Sequence, residues 1–160
     1  MLSVVIPTFN AEAVLTRTLT PLVAGVADGL VRDCVIADEG STDETCAMAE
    51  AAGCTLVRGA RGEGWRIGAS AARGEYLLFL AQHLVLERGW IEDARGFIER
   101  SGRVATFRLD GESPLAALIA PRGRAGVLIQ RSAFDAQAAT LNDAARGQMT
   151  KLGARAIPQT

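Results

Sequence analysis

Short apolar runs alternate with amphipathic stretches along the first 110 residues of the chain. The runs rich in β-branched or leucine side chains lie at residues 2–7, 33–37, 54–58, 75–80 and 104–109. The first run is typical of a buried parallel strand, and the other four also predict strands. The stretches between them, at residues 11–23, 41–52, 65–73 and 89–100, favour helices. Repeated strand–helix units predict a doubly wound α/β domain with a mostly parallel sheet, in which the most apolar run, 75–80, lies centrally.

The pattern weakens after residue 110. We expect a short helix at 113–120, a basic turn at 121–126, a strand at 127–130, a mostly helical stretch at 133–152 and an edge strand at 154–157. No repeat or linker separates these elements from the preceding ones. We therefore interpret residues 1–160 as a single domain, in which 111–160 is a smaller portion attached to a core of residues 1–110.

Composition narrows the class of protein. The 160 residues carry a net charge of −1 and are 49% hydrophobic, which indicates a folded chain and gives no electrostatic reason to expect a nucleic acid partner. No run reaches the roughly 18 apolar residues of a membrane-spanning helix, and the N-terminus lacks a basic leader, so we expect neither an integral membrane segment nor a signal peptide. Cys34, Cys46 and Cys54 lack a CxxC spacing, which predicts reduced thiols in a cytoplasmic protein. A homo-oligomer is compatible with this composition.

Polar residues follow three of the predicted strands, where α/β sheets bind their ligands. They are Pro7 to Asn10, Asp38 to Asp43, and Ala81 to His83. The turn after the first strand has no glycine fingerprint, which argues against NAD or FAD, and the chain contains neither a GxxxxGK[ST] phosphate loop nor a nucleophile elbow.

The acidic segment after the second strand allows two interpretations. The Asp38 carboxylate is suited to accept a hydrogen bond from a base N–H or a ribose hydroxyl, beside a helix whose first amides are free. Ser41 and Glu44 have the spacing of a capping box, which predicts that this helix begins at Ser41. The same residue types are also common in simple turns and helix caps, so a purely structural role stays open.

Three segments carry a resemblance to a known family. They are SVVIPTFNAE at 3–12, VIADEGSTDET at 35–45 and ARGEYLLFL at 72–80, the last followed by the turn at 81–83. In this order and spacing they resemble the family 2 glycosyltransferases of the GT-A fold, and in particular a small bacterial group. The resemblance covers about residues 2–90 and is looser beyond them.

The resemblance implies that the chain takes a nucleotide-sugar donor, most often UDP-linked, and transfers the sugar with inversion to the hydroxyl of an acceptor that the sequence does not identify. By the same resemblance, Pro7, Thr8 and Asn10 line the nucleotide pocket, and Asp38 binds the base with Glu39 beside it. Residues 1–110 would form the nucleotide-binding core and 111–160 a shortened acceptor side. There, Asp143 is the candidate general base that deprotonates the acceptor.

The chain departs from the family at the metal-binding turn. The family's Asp-x-Asp element, which holds Mn²⁺ or Mg²⁺ against the diphosphate, falls on Ala81, Gln82 and His83. Hard cations prefer oxygen ligands, so a metal is doubtful here, although His83, the single histidine, is able to ligate Mn²⁺ as a neutral imidazole.

The arginine-rich segment of residues 58–73 suggests a substitute for the metal. Arg66, with Arg58, Arg61 and Arg73 nearby in sequence, is suited to neutralise a diphosphate, or else belongs to a solvated arginine-rich loop. We interpret Trp65, next to Arg66, as a packing residue.

Two function classes follow from these observations. One is an active glycosyltransferase that uses either a metal or arginine side chains. The other is a catalytically degenerate GT-A domain that serves as a nucleotide-binding or regulatory module.

Overall fold

The computed structural model of the chain describes residues 1–109, 126–134 and 150–158. The strands are β1 (Leu2–Thr8), β2 (Val31–Asp38), β3 (Thr55–Arg58), β4 (Tyr76–Phe79), β5 (Leu84–Leu86), β6 (Val104–Leu109), β7 (Val127–Gln130) and β8 (Thr150–Pro158). The helices are α1 (Glu12–Ala27), α2 (Thr45–Ala51), α3 (Gly64–Ala71) and α4 (Trp90–Glu99), and a single 3₁₀ turn spans Arg131–Ala133.

The strands form one sheet in the order β3-β2-β1-β4-β7-β6-β8-β5. Strands β1 to β4 pair in parallel, as do β6 and β8, whereas β7 is antiparallel to both of its neighbours and β5 is antiparallel to β8. The predicted α/β class with a mostly parallel sheet is confirmed. The chain crosses from one side of β1 to the other between β3 and β4, so β1 marks a topological switch point.

Both faces of the sheet are covered. Along β1, Val4 and Ile6 belong to the cluster packed under α1, α2 and α4, and Val5 belongs to the cluster under α3. Because side chains alternate along a strand, a run that is apolar at every position is what a strand buried on both faces requires. All four residues of β4 are buried, in agreement with its predicted central place.

The elements downstream of residue 110 differ from expectation. Strand β7 matches the predicted strand, but Thr150–Pro158 forms one strand where residues 150–152 were expected to be helical. This strand, β8, is also not an edge, since it lies between β6 and β5. Because β8 is paired on both sides, with β6 and with β5, its Leu152 and Ala156 are buried. The predictions for residues 113–120 and 135–149 lie outside the described residues.

Strand β5 has no counterpart among the predicted elements. It is three residues long, and a segment of that length has too few positions to show a periodic pattern. In the part of the chain that the structure describes, no helix combines the length and apolarity needed to cross a bilayer.

Candidate functional site

Four parallel strands end at one edge of the sheet. Thr8, Asp38, Arg58 and Phe79 are the last residues of β1, β2, β3 and β4. The ends of these strands and the loops that follow them contain most of the residues that the sequence singled out. Their backbone and side chains are joined by hydrogen bonds that define the candidate site.

Asp38 is the buried anchor of this site, with 1% of its surface exposed. Its carboxylate accepts hydrogen bonds from the backbone N–H groups of Gly40 and Ser41, both at 3.1 Å, from the Ser41 hydroxyl, and at 3.5 Å from the Thr8 hydroxyl. Burial alone raises the pKa of Asp38, but the bonds from Ser41, Gly40 and the Cys46 thiol outweigh it and lower the pKa below the ordinary value. Asp38 is therefore an ionised group that holds the turn after β2.

Asn10 links the loop after β1 to the loop after β2. Its N–H donates to the Ser41 hydroxyl at 2.9 Å, and its side-chain oxygen accepts from the Thr42 N–H at 2.9 Å. Asn10 has a φ of +47°, a left-handed conformation that asparagine tolerates better than most residues. The residue type is thus explained by its backbone conformation and its two bonds across the loops.

Residues that follow β2 also cap helix α1. The N–H of Ala11 donates to the Thr45 hydroxyl at 2.7 Å, and the N–H of Glu12 donates to the Asp43 carboxylate at 3.1 Å. The hydrogen bond from the Thr45 hydroxyl is the main cause that lowers the pKa of Asp43. These are the first amides of α1, which have no partner within their own helix.

The predicted capping box is consequently wrong. Helix α2 begins at Thr45, and the N–H of Thr45 donates at 3.1 Å to the Asp43 carboxylate, not to Ser41. The Ser41 hydroxyl is already committed as donor to Asp38, and its oxygen accepts from Asn10. The Ser41–Glu44 spacing is a local signal, and partners from β2 and from the loop after β1 take precedence over it.

Glu39 lies on the side of this turn that faces helix α3. Its carboxylate accepts a 2.8 Å hydrogen bond from the N–H of Gly64, the first residue of α3. A Cβ atom on Gly64 would lie 2.7 Å from Cβ of Pro7 and 2.8 Å from Oε1 of Glu39, so only glycine fits. Gly64 is a site residue that the sequence reasoning missed, although a glycine that opens a helix beside a ligand loop is a recognisable signal.

The turn at the end of β4 is fastened to the loop after β1 by Gln82. The N–H of Phe9 donates to the Gln82 side-chain oxygen at 2.7 Å, and the Gln82 amide donates back to the Phe9 carbonyl at 3.2 Å. The Thr18 hydroxyl on α1 donates to the Gln82 carbonyl at 2.6 Å. Gln82 and Phe9 were not assigned a role from the sequence.

The side chains of this turn do not fit a divalent metal. Ala81 has no ligand atom, the amide oxygen of Gln82 is bonded to Phe9, and His83 is an exposed imidazole. Among the described residues, no group of three or more His, Cys, Asp or Glu side chains could hold a metal ion. The candidate general base Asp143 lies outside the described part of the chain.

The arginines that the sequence grouped together are separated by the fold. Arg66 pairs with Glu63 one turn back on the surface of α3. Arg73 pairs with Asp33 at 2.9 Å, toward the amino end of β2 and away from the site. Arg61 lies over the ring of Phe9, with its guanidinium carbon 3.6 Å from the ring centroid.

Trp65 packs as predicted. Its ring meets Phe134 edge-on at 5.8 Å between centroids, and Phe134 in turn stacks on Phe79 at 5.3 Å. These contacts place Trp65 in the cluster that covers the second face of the sheet.

Comparison with known proteins agrees with this architecture. Solved structures of S. aureus TarS share the fold. For TarS 1-349 the TM-score is 0.76 at 16% identity, over 99% of this chain and 60% of that one. For the complex of TarS 1-349 with UDP-GlcNAc the TM-score is 0.74 at 17% identity, over 99% and 59%.

A second enzyme shares the fold. It is glucosyl-3-phosphoglycerate synthase from Mycobacterium tuberculosis, solved with Mn²⁺ and UDP-glucose, and its TM-score is 0.70 at 20% identity, over 100% of this chain and 70% of that one. The present chain spans about 60% of the length of the TarS 1-349 chain described above.

A comparison with curated proteins gives no match. The family model described as glycosyl transferase family 2, in contrast, matches residues 3–141, which is most of the chain. Together with the sheet order and the loops assembled at its carboxyl edge, this match shows that the chain belongs to glycosyltransferase family 2 and has the GT-A fold.

Proposed function

We propose that the chain binds a nucleotide sugar, with UDP as the nucleotide, at the carboxyl edge of β1, β2 and β4, and that it transfers the sugar to a hydroxyl acceptor with inversion. The observation that carries the proposal is the hydrogen-bonded assembly of the loops after β1 and β2 around Asp38, with Glu39 reaching the start of α3. A rigid set of loops at a switch point is the usual place for a nucleotide in an α/β sheet. Family membership supports the same ligand class.

The residues at this edge divide the binding task. Pro7, Thr8 and Asn10 frame the pocket along the loop after β1. Asp38 acts by fixing the turn, since its carboxylate oxygens already accept several hydrogen bonds. Glu39, which is half-buried and makes one described hydrogen bond, is the carboxylate that remains to accept a base N–H.

The proposed chemistry is a single displacement. The acceptor oxygen forms a bond to the anomeric carbon as the bond from that carbon to the nucleoside diphosphate breaks, and a general base takes the hydroxyl proton. We assign the base to Asp143, within an acceptor side formed by residues 111–160. We assign Arg66, the third residue of α3, to the departing diphosphate, which would replace Glu63 as its partner.

A thermal-shift titration tests the binding step. The purified chain is titrated with UDP, UDP-glucose, UDP-GlcNAc and a GDP-sugar, each with Mn²⁺ and with EDTA. A ligand at about 100 times its Kd stabilises the fold by about 2.7 kcal/mol, which raises Tm by a few degrees. A shift with UDP ligands and none with the GDP-sugar supports the proposal. No shift with any nucleotide contradicts it.

A second candidate function is a nucleotide-binding module without turnover. The observation in its favour is the turn at 81–83, which lacks carboxylates and whose amide is bound to Phe9. Release of UDP from UDP-sugars, followed over hours with and without candidate acceptors, separates the two. Binding without donor consumption supports the module, and enzyme-dependent UDP release supports the transferase.

We also propose that the protein works in the cytoplasm. The cysteines at 34, 46 and 54 are free thiols in the structure, which suits a reducing compartment.

A further inference from the structure

Arg61 is held at the carboxyl edge of the sheet by an aromatic ring. It lies in the loop of residues 59–63, whose first residue, Gly59, donates its N–H to the Asp38 carbonyl at 3.0 Å. The guanidinium carbon is 3.6 Å from the centroid of the Phe9 ring, well within the range of a cation–π contact. This contact restricts an otherwise exposed side chain to the neighbourhood of the loop after β1.

Phe9 is also hydrogen-bonded to the turn at 81–83. Its N–H and carbonyl are both bonded to the Gln82 side chain, at 2.7 and 3.2 Å. One residue therefore contacts Gln82 through its backbone and Arg61 through its ring. Phe9 thus connects the loop that contains Arg61 to the turn whose own side chains do not fit a metal ion.

The charge of Arg61 is available to a ligand, in contrast to the charges of Arg66 and Arg73. Arg66 is paired with Glu63, and Arg73 is paired with Asp33 toward the opposite edge of the sheet. No carboxylate lies within ion-pair distance of Arg61 in the ranges that the structure describes. A contact to a ring face uses none of the five guanidinium N–H donors in a hydrogen bond to oxygen, so they remain for an anion.

We propose that Arg61 binds the diphosphate of the nucleotide sugar and supplies the positive charge that a divalent cation would otherwise supply. This inference rests on the proposed function. A guanidinium matches phosphate oxygens in a bidentate fork and, unlike a metal, needs no carboxylate ligands. The ring of Phe9 keeps Arg61 in place before the ligand arrives, which lowers the entropy lost on binding.

Calorimetric titration of the whole chain with UDP and with uridine isolates the diphosphate contribution. The variants are Arg61→Gln, which removes the charge at similar size, and Arg61→Lys, which keeps the charge without the fork. Arg32→Gln on β2 is the matched control, because it makes the same charge change at an exposed position near the amino end of the strand. Every titration is run in EDTA and repeated with Mn²⁺.

We expect Arg61→Gln to raise the Kd for UDP at least about tenfold, and the Kd for uridine less than about twofold, because only UDP carries the charged group. Arg61→Lys is expected to fall between wild type and Arg61→Gln, and Arg32→Gln to match wild type. Adding Mn²⁺ should change none of these ratios.

Three results would overturn the inference. The first is an unchanged UDP affinity in Arg61→Gln. The second is an equal loss for uridine and UDP, which would indicate a general disturbance of the pocket. The third is wild-type binding of UDP that disappears in EDTA. If wild type binds neither UDP nor uridine, the proposed function itself fails. If only the role of Arg61 is wrong, wild type still binds UDP.

Discussion

Replacing Asp38 by asparagine tests whether this carboxylate builds the site. Asparagine has nearly the same shape, but it carries no charge and turns one acceptor oxygen into an NH₂ donor. The N–H groups of Gly40 and Ser41 and the Ser41 hydroxyl all point to the Asp38 carboxylate. At least one of these donors would then face the NH₂ group without an acceptor.

The magnitude follows from the three donors. A hydrogen bond to a charged group contributes about 1.5–3 kcal/mol, and one between neutral groups about 0.5–1.5 kcal/mol. The loss is therefore about 1–1.5 kcal/mol per bond, or about 3–4.5 kcal/mol for three bonds. The lower cost of burying a neutral group offsets part of this total. We expect Asp38→Asn to reduce the free energy of unfolding by about 2–4 kcal/mol.

The pH dependence provides an independent check. The pKa of Asp38 is lowered in the folded protein, so its stabilising contribution is fully present above the unfolded-state pKa of about 3.9. That contribution is lost as pH falls through the lower, folded-state pKa. The stability difference between wild type and Asp38→Asn should thus be constant from about pH 7 to pH 5 and should shrink below about pH 4.

Urea unfolding followed by circular dichroism measures the difference at each pH. For an m-value of about 2 kcal/mol/M, the urea midpoint of Asp38→Asn should fall by about 1–2 M. Asp28→Asn is the control, because Asp28 makes a partly exposed ion pair with Arg95 whose loss should cost less than about 1 kcal/mol. The proposed role of the Asp38 carboxylate is wrong if Asp38→Asn loses no more stability than Asp28→Asn, or if its deficit is the same at pH 3 as at pH 7.

The remaining predictions concern three other site residues. Gly64→Ala should lower stability by about 1–3 kcal/mol and weaken UDP binding, because its Cβ would crowd Pro7 and Glu39 at 2.7 and 2.8 Å. Gly96→Ala in α4 is the control and should be neutral or stabilising. Equal effects of the two changes in urea unfolding would contradict a steric need for glycine at position 64. Gln82→Met should cost about 1–2 kcal/mol in urea unfolding and weaken UDP binding, because the Phe9 N–H loses its acceptor. An unchanged urea midpoint would contradict a stabilising role of the bonds between Gln82 and Phe9. His83→Ala should leave UDP affinity unchanged with or without Mn²⁺ in calorimetry, and a loss confined to Mn²⁺ buffers would restore His83 as a metal ligand.

These experiments examine a site that is assembled from loops rather than from one motif. The bonds between the loops after β1 and β2 join residues 31 or more positions apart, and the bonds of Gln82 to Phe9 span 73. Such bonds hold the pocket in shape before any ligand is bound. A pocket fixed in this way is equally useful to a transferase and to a nucleotide-binding module, which explains why donor consumption, and not binding, separates the two.

Most strands of the sheet and the family could be inferred from the sequence alone. The apolar runs that became β1, β2, β4, β6 and β7 were recognisable because a strand buried on both faces needs apolar residues at almost every position, which is a local property. The polar segments at 7–10 and 38–43 were also correctly placed at strand ends. Their residue types and spacing were enough to indicate the glycosyltransferase family that the family match confirms.

The role of each polar group, in contrast, depends on the tertiary structure. Ser41 was expected to cap its own helix, yet it bonds Asp38 and Asn10, and the residues after it cap α1. Strand β8 was expected at an edge and lies inside the sheet. In both cases the local pattern allows several partners, and the choice among them depends on which distant segment the folded sheet brings into contact.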